Sequence, residues 1–258
     1  MLRFLVLSLL FALCACSRGN KLIIGTDATY PPFEFVDEKG QIAGVDIEIG
    51  NEIGKALGRE VEFRNINFDG LQTALLTNAV DLVISSVSAT PERRKAVDFS
   101  DPYVKTGLSV LVAKNSPVMK GDDLQAPGRK IVVRLGTTGE TWAREHLKNA
   151  EIKALDNDTS CVMEVVNANV DAWVYDQLSI MNHHMEHQEK TRALLAPLRE
   201  EVWAVAIRQG QDEMKAKINE VLARMKKDGS FKRLADRFMA KEQQMMADQG
   251  IPFVFELK

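Results

Sequence analysis

The chain has 258 residues, 45% of them hydrophobic and 27% charged, with a formal net charge of −3. That composition is ordinary for a soluble globular protein and leaves room for one large domain or two small ones. A mildly acidic balance without a basic run gives no reason to expect nucleic acid as a partner.

The first residues are not expected to join the fold. A short positive start, Met1 to Arg3, precedes the apolar run Phe4 to Leu13. Such a run matches a signal-peptide core and is too short for a permanent bilayer span. Removing residues 1–15, whose only charge is Arg3, takes the net charge from −3 to −4. Leu13-Cys14-Ala15-Cys16 resembles a bacterial lipobox. Cleavage after small Ala15 would leave Cys16 as an acylated N-terminus held by membrane lipid, and plain secretion is the alternative. No later segment reaches 18 apolar residues. With Cys14 removed and Cys16 lipidated, Cys161 stands alone, so no intramolecular disulfide is expected.

Strand-like and helical runs then alternate. Leu22 to Thr26, Val61 to Ile66 and Leu82 to Ser86 read as strands. Between the first two, Asp46 reads as an N-cap, with Ile49, Ile53, Ala56 and Leu57 at helical spacing. Asp69-Gly70-Leu71-Gln72 resembles a capping box opening a helix through Leu75. This alternation predicts parallel sheet covered by helices.

The pattern restarts with strands at Leu108 to Lys114 and Lys130 to Leu135, a helix at Glu140 to Lys148 and a strand at Ala172 to Asp176. His183, His184 and His187 cluster in the polar run 182–192, which reads as solvated helix or loop and not as a metal site. Neither a CxxC pair nor an HExxH helix is present. A strand at Val202 to Ile207 follows. Two amphipathic helices close the pattern, one ending at Gly229 and one starting at Ser230. The tail from Glu242 is less periodic, with Ile251-Pro252-Phe253 placed to pack back on the body.

In open α/β sheets, ligands gather at the carboxyl ends of strands. Three such ends are polar here: Gly25 to Tyr30, Ser85 to Arg93, and Arg134 to Glu140. In the second, Thr90 reads as an N-cap with Pro91 at the first helical position, a start that favours an anion. Arg93 in that first turn opposes the helix dipole. Either a bound carboxylate or pairing with Glu92 or Asp98 would account for it. Gly136-Thr137-Thr138-Gly139 is a second strand-to-helix turn without phosphate-loop spacing, and a plain turn is equally consistent. Asp176 can receive an ammonium group or cap the next helix. Tyr30 and Phe68 can stack on a ligand or belong to the core.

Together, GTDATYPPFEF, GVDIEI, NFDGL, DLVISSVSATPERRKAVDFSDPY, GTTGE and VYDQL resemble the polar amino-acid class of periplasmic solute-binding proteins of ABC importers. The likeness covers about residues 21 to 240 and is strongest up to Tyr103. It implies an α/β fold of two lobes: residues 21–104 with 204–258, and residues 109–199. Crossovers at 105–108 and 200–203 would act as hinges, with 16–20 as an N-terminal linker. The ligand would sit in the cleft and be trapped by closure. By the same resemblance, Arg93 would pair with an α-carboxylate, helped by the backbone N–H groups of Ser88 and Thr138. Asp176, the Ser88 hydroxyl and the Ser86 carbonyl would hold the α-ammonium. Tyr30 and Phe68 would flank the side chain, and Asp27 would face its far end. Ser85 and Thr137 complete the expected ligand-binding set.

Arg134 departs from the basic amino-acid binders of this class, which tend to carry a neutral residue there, whereas glutamine binders tend to carry Lys. The expected ligand is therefore a free polar amino acid, glutamine-like first and arginine or another basic one second. The expected partner is an importer permease, and the chain is expected to be a monomer without a cofactor. Two other functions are open. One is a cyclohexadienyl or prephenate dehydratase on the same fold, with Glu140 or Asp176 as the acid. The other is a sensor domain, which would need a signalling segment beyond Lys258.

Overall fold

The computed structural model describes residues 20–256. The expected signal peptide at 1–15 and lipidated Cys16 lie outside the described residues.

In chain order the elements begin β1 (Lys21–Thr26), β2 (Thr29–Tyr30), β3 (Glu34–Val36), β4 (Ile42–Ala43), α1 (Val45–Leu57), β5 (Glu60–Asn65), α2 (Phe68–Leu76), β6 (Leu82–Val83), α3 (Pro91–Arg94) and β7 (Asp98–Phe99). There follow β8 (Val104–Ala113), β9 (Lys130–Arg134), α4 (Thr138–His146), β10 (Glu151–Leu155), α5 (Asp158–Val166), β11 (Ala172–Asp176), α6 (Gln177–Glu186) and β12 (Thr191–Trp203). The chain ends through β13 (Ala206–Ile207), α7 (Asp212–Lys227), α8 (Ser230–Phe238) and α9 (Ala240–Asp248).

Two five-stranded sheets form, each the floor of one lobe. The first has the order β5-β1-β6-β13-β7 and the second β10-β9-β11-β8-β12. In the first, β1 runs parallel to β5 and β6; in the second, β9 runs parallel to β10 and β11. The strands that carry the chain between lobes are antiparallel to their neighbours. Parallel pairing thus covers only part of each sheet, because a chain that leaves a lobe and returns must run back alongside itself.

That return is one continuous ribbon. β8 and β12 pair from Val104↔Trp203 through Leu108↔Arg199, and on to Thr191↔Ala113 after an irregularity. The segments 105–108 and 200–203 lie in this ribbon between the sheets. β12 starts at Thr191, well before the expected Val202, and β13 is a separate short strand.

Local signals placed some helix starts wrongly. Gly44, not Asp46, caps α1. The Asp46 side chain turns inward and accepts the Ser86 N–H and the Tyr103 hydroxyl. Similarly, α2 opens at Phe68 after Asn67, before the expected box at Asp69. The amide of Phe68 is satisfied across the chain by Asp27 Oδ2, 3.0 Å away. Thr90 does cap α3, accepting from Arg93 N with Pro91 in the first position. Because α3 is a single turn, however, it lends little dipole to an anion, and the charge there is carried by Arg93. α9 fills much of the tail expected to be less periodic. Beyond it, Ile251, Phe253 and Phe255 pack on the core, and Lys105 N–H bonds Val254 O at 2.8 Å. Cys161 is buried, and burial pushes its thiol up to about 12.

Candidate functional site

The carboxyl ends of β1, β6, β9 and β11 converge where the two sheets face each other. All eleven residues of the expected binding set line one cavity there: Asp27, Tyr30, Phe68, Ser85, Ser86, Ser88, Arg93, Arg134, Thr137, Thr138 and Asp176. The same cavity is lined by Glu34, Tyr175, Glu201 and Trp203, which the motifs did not single out as ligand contacts. Glu34 lies inside a quoted motif. Strand alternation could have found Glu201 and Trp203, since period two puts both on one face of β12.

Direct contacts tie the lobes together. The Tyr30 hydroxyl donates to Asp176 Oδ1 at 2.6 Å. Arg134 is ion-paired with Asp27 across the cleft. Arg93 donates from Nη1 to Ser88 O and from Nη2 to Gly136 O, each at 3.0 Å. Gly136 has φ +74°, and a Cβ there would meet Asp69 Cα at 2.9 Å. Only glycine suits both that backbone and that approach.

Arg93 and Arg134 differ in their company. Among the described residues no ion-pair carboxylate is found for Arg93, whose guanidinium lies 5.4 Å from the centre of the Phe68 ring. Burial lowers its pKa, with Glu201 opposing. Arg134 is 3% exposed and pairs with both Asp27 and, at 3.0 Å, Asp158. Burial works against its charge, but Tyr175, Asp158 and Asp27 more than offset this and raise its pKa. Asp27 also accepts from the Thr29 hydroxyl, so both of its oxygens take part in hydrogen bonds.

Asp176 takes the capping role weighed for it. It caps α6, accepting from Leu178 N at 2.8 Å and Ser179 N at 3.4 Å, and it faces the cavity. Its other oxygen takes the Thr106 hydroxyl at 2.6 Å. Burial pushes the carboxyl up to about 6, against those hydrogen bonds. Thr137 caps α4, leaving Thr138 in the first turn at the cavity wall. Glu140 is not among the cavity residues; it accepts from Gly136 N and pairs with Arg144. That removes it as a cleft acid. Of the histidines, His183 lies against Trp173, 5.7 Å between ring centres, and His184 bonds the Thr191 hydroxyl.

The model of the bacterial extracellular solute-binding proteins, family 3, matches residues 22–241. The chain belongs to this family. Its fold is the two-lobed α/β fold of periplasmic amino-acid-binding proteins, and family members are extracytoplasmic. This solute-binding protein is 29% identical to the L-cystine-binding protein of Escherichia coli over 86% of this chain and 83% of that one. It is 30% identical to an arginine-binding extracellular protein of Bacillus subtilis, over 90% and 94%. Among solved structures, an ancestral arginine-binding protein bound to glutamine superposes with a TM-score of 0.78 at 34% identity, covering 86% of this chain and 98% of that one. Among the described residues, no helix of the solute-binding protein is long and apolar enough to cross a membrane.

Against the serine segment of this binding protein lies a buried acidic pair. Glu34 and Asp46 are 1% and 0% exposed. Glu34 accepts from the hydroxyls of Ser85 and Ser86, at 3.2 and 3.1 Å. Burial pushes Asp46 up to about 7, and burial plus the Asp46 charge raises Glu34 well above the carboxylate range. The folded protein therefore holds protons that the unfolded chain has released above about pH 4. Stability should fall as pH rises through the window from about 4 to 7. The expected loss is roughly 5 °C in Tm between pH 5 and pH 8, and Asp46→Asn should flatten the slope. Melting curves across that range check this; a Tm that rises with pH would refute it.

Proposed function

We propose that this protein captures a free polar amino acid between its lobes and hands it to the permease of an ABC importer. The observation that carries the reading is the pairing of unlike groups across one cavity. Arg93, without a carboxylate partner among the described residues, offers free donors to an α-carboxylate. Asp176, on the other lobe, offers acceptors to an α-ammonium. The cavity volume is about 30 Å³, room for no more than a few waters. An amino acid enters only if the lobes part, so residues 105–108 and 200–203 are assigned as the hinge. That relatives are named for binding cystine and arginine supports an amino-acid ligand.

Glutamine ranks first and arginine second. Arg134 and Asp27 neutralise each other across the cleft, and a neutral side chain with both a donor and an acceptor can bond to the pair without breaking it. A cationic side chain would have to displace Arg134 from Asp27, and a mismatched buried charge costs more than a neutral hydrogen bond. The ancestral arginine-binding protein bound to glutamine makes this pair of ligands compatible with one fold. A thermal-shift panel of the twenty amino acids tests the ranking, because a ligand stabilises by RT ln(1 + [L]/Kd). Glutamine should give the largest shift. Stabilisation by Leu or Phe alone, with none from Gln, Asn, Arg, His or Lys, would overturn it.

The reading includes export as a monomer, removal of residues 1–15 and anchoring through acylated Cys16. Full-length protein made in bacteria should enter the detergent phase of a Triton X-114 separation, and Cys16→Ser should move it to the aqueous phase. Wild type in the aqueous phase would end the lipid assignment.

A further inference from the structure

We propose that Glu201 is a positioning residue that turns the hydroxyls of Ser88 and Thr138 into acceptors for the ammonium group of the bound amino acid. The proposal rests on the amino-acid reading above. Glu201 lines the cavity from β12, in the ribbon that joins the lobes, opposite Thr106. Its side chain is 5% exposed. Arg199 grips one carboxylate oxygen with two donors, Nε at 3.1 Å and Nη2 at 2.6 Å. The other oxygen accepts the Ser88 hydroxyl from the first lobe and, at 2.9 Å, the Thr138 hydroxyl from the second.

The chemistry follows from proton counting. A hydroxyl has one proton and two lone pairs. Here both protons go to Glu201, since an ionised carboxylate only accepts. The oxygens of Ser88 and Thr138 then face the cavity with lone pairs alone. They can receive N–H groups of an ammonium but cannot donate to a carboxylate, which is left to Arg93 and backbone N–H groups. Asp176, bonded to Thr106 on the same rung of the ribbon, adds a further acceptor. The arrangement also reports closure. One carboxylate oxygen receives a hydroxyl from each lobe, and both arrive only when Ser88 and Thr138 are brought together.

Calorimetry with defined probes tests this: L-glutamine and L-arginine, each beside the analogue in which hydrogen replaces the α-ammonium. For wild type, losing the ammonium should weaken binding strongly. In Glu201→Gln, the affinity for the amino acid should fall about tenfold or more, with little change for the des-amino analogue, so their ratio shrinks. A general structural defect would weaken both alike and preserve the ratio. Thr138→Val should shrink the ratio in the same way, and Thr138→Ser should restore it, which keeps the test open if Glu201→Gln fails to fold. A ratio unchanged within threefold in Glu201→Gln, or in Thr138→Val where the first does not fold, overturns the proposal while the functional reading stands. If wild type binds neither amino acid, the functional reading fails and takes the proposal with it.

Discussion

Replacing Arg93 with Ala is expected to abolish amino-acid binding while the protein keeps its fold. Removing one partner of a desolvated charge pair costs roughly 2–5 kcal/mol, a loss of about 30-fold to several thousandfold in affinity. The fold should survive because the residue's structural duties belong to its backbone. The Arg93 N–H bonds the Thr90 hydroxyl, and its carbonyl accepts from Ala96 and Val97; all three persist in Ala. What disappears is the guanidinium and its two bonds to the carbonyls of Ser88 and Gly136. Calorimetry on the folded variant decides the matter, and affinity within threefold of wild type would place the carboxylate elsewhere.

Phe33→Ala should unfold the protein more readily than any cleft substitution. Phe33 is fully buried and packs edge-on against Trp203, 4.9 Å between ring centres. Tyr30 lies 6.2 Å away and Phe255 of the C-terminal tail 6.4 Å away. One ring thus backs two cavity residues and the tail. Truncating a buried Phe costs roughly 3–5 kcal/mol, which for a chain of this size is a fall in Tm of roughly 10 °C or more. Amino-acid affinity should drop too, since Tyr30 and Trp203 lose their support. A denaturant titration giving a loss below about 1 kcal/mol would contradict this packing account.

The sequence carried the parallel strands and the site better than it carried the ends of helices. The family resemblance, carried on motifs at strand ends and helix starts, named eleven residues that line one cavity. Asp46 and Asp69 misled. Capping rules are local, whereas Asp46 is drawn inward by Ser86 and Tyr103, and the start of α2 is satisfied by Asp27, forty-one residues earlier. Strand alternation puts Glu201 on one face with Trp203, but its contacts depend on three elements meeting: β12, the serine segment and α4. Nothing within a few residues of it signals that. Arg134 stood out as a departure from the basic binders, but its second partner, Asp158, becomes apparent only when α5 is packed beside β9.

The central claim is that the cleft holds one free polar amino acid. Native mass spectrometry of the protein equilibrated with an equimolar mixture of the twenty amino acids tests it directly. The account predicts a single adduct per chain, identified after release as glutamine or, second, arginine, and absent from Arg93→Ala. A protein that selects none of the twenty, or retains only an apolar one, would contradict it.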